Sequence, residues 1–181
     1  MNSASSFVGK QVVTQAGRII DSISDVIFDP HTHQVLCFII EPGGWVGGAK
    51  ILPWSDKFSI TPNVLTITSP EQIVLARTVP RIQAVLENIQ VVVGKKIMAS
   101  DGRQLGILDD VYFDQETGEI QEYEVVSPLF HKTGFERKAI LEPNEMDFIE
   151  GEGTTLMVSP ETTDVIEKRI HDARKPDTDS R

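Results

Sequence analysis

The sequence predicts a mainly β protein in which one small fold occurs twice in tandem, the copies joined by a helical linker and followed by a C-terminal helix. Three observations carry this expectation. Val8-Gly9-Lys10, Gly17-Arg18, Asp25-Val26-Ile27-Phe28-Asp29 and Thr32 return 85 positions later as Val93-Gly94-Lys95, Gly102-Arg103, Asp110-Val111-Tyr112-Phe113-Asp114 and Thr117. The register holds without a gap from Val8/Val93 to Ile40/Val125, with 10 identities in those 33 pairs, as two copies of one fold would leave it. Short β-branched and apolar runs alternate with glycine, proline and aspartate turns inside each copy, and a Ser-Pro-Glu triplet follows each copy as a helix start.

Copy one begins at about Phe7. Lys10 to Thr14 reads as a strand, and Gln15 to Arg18 as a turn whose counterpart, Ser100-Asp101-Gly102-Arg103, contains the Asp-Gly hairpin signal. Ile19 to Phe28 reads as one long strand. In copy two Leu105, Ile107, Asp109, Val111 and Phe113 share a face by period two, so the acidic member predicts a bulge or strand end near Asp109-Asp110. Asp29 to Gln34 and Asp114 to Glu119 are turns: the aspartate oxygen bonds amides ahead of it, and Gly118 supplies a positive φ. His33 replaces that glycine in copy one, histidine being enriched at positive φ.

Val35 to Ile40 is continuously apolar and is expected to be buried on both faces, whereas Ile120-Gln121-Glu122-Tyr123-Glu124-Val125 alternates as a half-exposed strand does. Ala49 to Pro53 and Arg137 to Pro143 are equivalent strands ended by proline, and Val64 to Ile67 and Thr155 to Val158 close the copies. In the linker Ser69-Pro70-Glu71 is an N-cap, and a second start at Val79-Pro80 leads a helix to Asn88 with Ile82, Val85 and Leu86 on one face. Ser159-Pro160-Glu161 opens the last helix. The expected division is therefore 7–68, a linker over 69–91, 92–158, a helix over 159–172 and a polar, disordered tail over 173–181.

Copies of roughly 60 to 70 residues lie near the lower limit for a self-sufficient core, so the two are expected to pack on each other. A hydrophobic content of 40% with 24% charged residues is that of a soluble globular protein. No apolar run approaches the roughly 20 residues that span a bilayer. Met1 to Ser6 has neither the basic nor the apolar part of a secretory signal, and the single Cys37 fits a reducing compartment, so a cytoplasmic location is expected. The net charge of −10 is uneven: residues 1–91 carry 6 Lys+Arg and 7 Asp+Glu, residues 92–181 carry 11 and 20. That balance opposes direct binding to nucleic acid or to anionic membrane, and leaves the second half either a solvated face or an acidic docking surface for a basic partner.

Taken in order, Val-Gly-Lys, a glycine turn, Asp-Val-x-Phe-Asp, the Asp-x-x-Thr turn, an apolar strand and Ile51-Leu52-Pro53 or Ile140-Leu141-Glu142-Pro143 resemble the PRC-barrel domain. The resemblance covers about residues 7–68 and 92–158, and Glu41-Pro42-Gly43-Gly44-Trp45 before Ala49 to Pro53 looks like PRC-barrel proteins of cyanobacteria. It implies two six-stranded β-barrels and a non-catalytic binding role. The family includes the cytoplasmic domain of the photosynthetic reaction-centre H subunit and the C-terminal half of a ribosome maturation factor. The H subunit's membrane helix and the maturation factor's separate N-terminal domain have no counterpart in this sequence.

The chemistry-bearing residues form no catalytic, cofactor or metal set. Gly43 to Lys50 lacks the Gly-Lys-Ser/Thr of a phosphate-binding loop and joins strand to strand. His31 and His33 sit two apart in a tight turn, and His131, His171 and Cys37 give no zinc spacing. Asp109, Asp110, Asp114 and Glu116 do not match a calcium loop. The expectation is thus a binding protein without cofactor. Trp45 with Val46, and Phe130 with Leu129 and Phe135, place bulky apolar residues in equivalent loops of the two copies and are the candidate partner contacts. The partner expected is another protein or complex with a basic surface, a membrane protein included. Two alternatives stay open: a ribosome- or RNA-maturation-associated factor, and a small-molecule binder using the cleft between the barrels.

Overall fold

A computed structural model describes residues 1–43, 48–55, 57–88, 93–127, 137–152 and 155–173. Strand β1 (Asn2–Ser3) and a 3₁₀ turn (Ala4–Phe7) precede copy one, which comprises β2 (Gln11–Thr14), β3 (Ile19–Ser22), β4 (Asp25–Asp29), β5 (Gln34–Glu41), β6 (Lys50–Pro53), β7 (Phe58–Ile60) and β8 (Val64–Ile67). A short β9 (Val74–Leu75) and helix α1 (Pro80–Asn88) follow. Copy two contains β10 (Lys96–Ala99), β11 (Gln104–Phe113), β12 (Ile120–Val126), β13 (Lys138–Leu141), β14 (Phe148–Glu152) and β15 (Thr155–Val158), and α2 (Pro160–Asp172) ends the described chain.

Copy two is one sheet in the order β13-β12-β11-β10-β15-β14, with β1 added to β11. Copy one follows the same path in two sheets, β6-β5-β4 with β9, and β3-β2-β8-β7. In each copy the last strand runs parallel to the first, β8 on β2 and β15 on β10. None of these sheets closes on itself among the described residues. Proline explains where the ladders stop: Pro53 ends β6 and Pro143 follows β13, each without an amide donor to continue pairing.

The expected single strand over Ile19 to Phe28 is divided in copy one. Ile23 still bonds Lys10, but the Ser24 hydroxyl reaches the carbonyls of Ile39 and Ile40, and the chain changes sheets there. Copy two keeps the strand whole and shifts register between Leu108 and Asp110, where the acidic pair predicts a bulge. Elsewhere the copies agree in backbone detail. Gly9 and Gly94, Gly17 and Gly102, and His33 and Gly118 are paired positive-φ positions. Asp29 Oδ1 accepts from the amides of His31 and Thr32, and Asp114 Oδ1 from those of Glu116 and Thr117.

The two copies meet through those turns. Gln34 pairs antiparallel with Glu119; the Val35 amide bonds the Gly118 carbonyl at 2.8 Å, and the Ile120 amide bonds the His33 carbonyl at 2.9 Å. One apolar core runs through both copies. Phe7 is its keystone, stacked 5.4 Å from Phe38 of copy one and 5.1 Å from Phe113 of copy two. Trp54 lies against Phe38, Phe58 and Phe113.

A second, smaller core explains why β5 is apolar throughout. Ile27, Cys37, Ile39 and Ile51 form the outer face of copy one and are covered by Ile82, Val85 and Leu86 of α1. Arg81 fixes the start of that helix, donating to Asp29 and Thr32 at 3.0 Å each. Helix α2 is capped by Ser159 and packs Val165, Ile166 and Ile170 into the main core. Arg169 ties α2 to Glu145.

Candidate functional site

All five candidate contacts, Trp45, Val46, Leu129, Phe130 and Phe135, lie outside the described residues. The stems of their loops are described. Glu41 pairs in register with Lys50, and their side chains form a 2.5 Å ion pair at the neck of the first loop. The Ser127 amide bonds the Arg137 carbonyl at 3.0 Å at the neck of the second. The bridge between Gln34 and Glu119 is antiparallel, so β5 and β12 leave it in opposite directions. The halves do not run straight apart from it, since Ser5 bonds Asp110 of copy two and borders the same cavity as Asp25 of copy one.

The outer faces of the copies differ in the same systematic way. Where copy one buries Ile27, Cys37, Ile39 and Ile51 under α1, copy two carries Tyr112, Glu122, Glu124 and Ile140. Lys138 and the Tyr112 hydroxyl bond Glu124 at 2.5 and 3.1 Å. Burial raises the Glu124 pKa, but these donors outweigh it and hold the carboxyl below its ordinary value.

Two cavities flank Asp25. One, of about 420 Å³, lies between the neck of the first loop, β4, β5 and α1; Ile27, Ile39, Ala49 and Leu86 line it, with Gln83 and Glu87 on the helix side. The other, of about 370 Å³, is bounded by Ala4, Ser5, Val8, Ser24 and Val93. Burial pushes the Asp25 carboxyl above its usual range, opposed by the Val26 amide. A smaller cavity of about 260 Å³ lies between the copies, formed by Ser55, Phe58, Ile60, Gln115 and Glu116. A further cavity of about 410 Å³ lies beside it, bordered by Asn2, Lys10, Ile60, Pro62 and Gln115.

Among the described residues no group of three or more His, Cys, Asp or Glu is placed to hold a metal ion. The histidines of the first turn separate: His31 is exposed, whereas His33 Nδ1 shares a 2.7 Å hydrogen bond with the buried Tyr123 hydroxyl across the copies. Burial pushes the Cys37 thiol up to about 12, with Asp25 adding to the effect, as expected of an inert core thiol.

Burial also lowers the His33 pKa, against the opposing pull of Asp29 and Asp147. The unfolded chain then binds more protons than the native state once pH falls below the ordinary histidine value of 6.5, so stability contributed by neutral His33 is lost through that window. Urea midpoints at pH 7.5 and 5.0 are expected to show a smaller acid-induced loss in His33→Asn than in wild type. Equal losses would assign the acid sensitivity to other groups.

Asp25 was not legible as a site residue from spacing alone. The signal for Asp25 was its recurrence as Asp110, but only the fold shows that the two carboxyls meet different surroundings.

Among the described residues no helix is long and apolar enough to cross a membrane. No curated protein matches the chain. The model of the PRC-barrel domain matches it twice, over residues 1–74 and 87–164. The paired glycines, the paired aspartate turns and the common strand order give that double match its structural content, and the chain belongs to the PRC-barrel domain family, carrying the domain in tandem.

Proposed function

We propose that the chain is a non-catalytic protein-binding adaptor or assembly factor, built on two PRC-type β-barrels over 7–68 and 92–158, that works in the cytoplasm on a larger complex. PRC-barrel domains generally act in protein interaction and assembly, and the family is generally non-catalytic. The observation that carries the reading is the tandem match to the PRC-barrel domain, in which the two aromatic-bearing sequences join equivalent strands, β5 to β6 and β12 to β13. Trp45 and Phe130 are the anchors, with Val46, Leu129 and Phe135 beside them. A partner with a basic surface suits the acidic second half, charge speeding encounter and buried aromatics slowing release. A photosynthetic complex is the assembly favoured by the likeness of residues 41–53 to cyanobacterial PRC-barrel proteins.

Capture from the native organism with wild type, Trp45→Ala, Phe130→Ala and the double variant tests this. Each single variant is expected to release its own contact, and the double variant to lose partners recovered by wild type. Full retention by the double variant overturns the loop assignment.

A further inference from the structure

We propose that the cavity at the neck of the Glu41–Lys50 hairpin binds an alkylammonium or guanidinium group on a short apolar stem, with Asp25 taking the cation and Glu87 standing at the rim. The site does not depend on the adaptor reading.

The first ground is a difference between the copies. Asp110 accepts from the Ser5 amide and hydroxyl as well as from the Val111 amide, so its position in copy two is occupied by a donor-bearing segment. Asp25, at the same position in copy one, accepts among the described residues only from the Val26 amide, at 2.7 Å. A carboxylate offers about four acceptor sites, so most of its capacity faces the cavities beside it.

The second ground is charge. The cations on the strand and helix that border the cavity are committed elsewhere, Lys50 to Glu41 at 2.5 Å and Arg81 to Asp29 at 3.0 Å. The sequences 44–47, Gly-Trp-Val-Gly, and 89–92, Ile-Gln-Val-Val, which continue from the cavity's borders, contain no basic residue. A neutral donor would fill a lone pair but leave the half-buried charge, whereas a cation meets both needs.

The third ground is shape. A volume of about 420 Å³ falls in the range of small-ligand sites, and Ile27, Ile39, Ala49 and Leu86 offer an apolar stem its contact surface. Gln83 donates to Glu87 at 2.6 Å, fixing the second carboxylate on the helix that forms one wall. Because burial raises the Asp25 pKa, a bound cation lowers it, and binding weakens as acid protonates the carboxyl.

The test is a methyl NMR titration of the full chain with n-butylammonium chloride and with agmatine, using n-butanol as the neutral control. Saturable shifts are expected at Ile27, Ile39 and Ala49, with affinity reduced about ten-fold or more for n-butanol and for Asp25→Asn. Equal affinity for the alcohol, undiminished binding by Asp25→Asn, or no saturable shift overturns the proposal. If Asp25→Asn does not fold, the wild-type Asp25 carboxyl is followed by carbon NMR; a titration midpoint unmoved by n-butylammonium overturns it equally. A blocked Leu-Arg-Leu peptide separates the sources. Binding at least ten-fold tighter than n-butylammonium assigns the site to a partner's basic side chain, and equal or weaker binding assigns it to a free amine. Since these probes contain no partner, failure here leaves the capture experiment unaffected.

Discussion

Replacing Phe7 with alanine is expected to cost about 3–5 kcal/mol of stability and to leave one unfolding transition at lower urea. Phe7 has 0% of its surface exposed, and its ring contacts Phe38 in copy one and Phe113 in copy two. Its removal therefore opens a cavity where two small units meet, and neither flank is large enough to collapse independently around it. The same core cluster runs from Val12 and Leu65 in the first copy to Leu108 and Val158 in the second, so both should unfold together. Circular dichroism and tryptophan fluorescence through a urea series check this. A loss below about 1 kcal/mol, or two transitions of which only one moves, contradicts the shared core.

The second large effect is expected at Gly118. Its φ of +74° lies in the left-handed region, and an added Cβ would stand 2.8 Å from the Trp54 ring. Trp54 cannot yield easily, being held against Phe38, Phe58 and Phe113. Gly118→Ala combines backbone strain with overpacking and should destabilise by about 2–4 kcal/mol. Gly102 separates the two causes: its φ is +87°, but no atom lies within 4 Å of an added Cβ. Gly102→Ala should therefore cost only about 1 kcal/mol. Urea unfolding of both variants gives the comparison, and equal losses would leave the Trp54 contact without energetic weight.

What could be read in the sequence was the backbone. Glycine, aspartate and the His33 exchange mark turns because few residues tolerate those conformations, and the fold keeps them at paired positions. The continuous apolarity of β5 also predicted its burial, whereas the alternation of β12 did not, since Glu124 is buried along with Tyr123, Val125 and Val126. The reason for the difference was not legible, because α1 lies more than 40 residues from most of the face it covers. Nor was the role of Ala4 to Phe7, which looks like an unremarkable leader until Ser5 meets Asp110 and Phe7 enters the core. Period-two counting gave one strand over Ile19 to Phe28, but it carries no information on where Ser24 finds carbonyls. The candidate loops followed from composition alone. Asp25 needed tertiary structure, since a carboxylate's worth as a site depends on the donors it lacks.

The contact of Gln34 with Glu119, flanked by reciprocal amide bonds, has the form of an isologous homodimer interface drawn into a single chain. Tethering makes that association intramolecular, at an effective concentration set by the linker instead of by expression level. It also releases the halves from identity. In a true homodimer every substitution is made twice, so a change useful at one end is imposed on the other. Here the halves differ: one outer face lies under a helix while the other is acidic, and an aspartate tied down in one copy is open in the other. The fold retains the economy of a repeated design together with two halves free to differ.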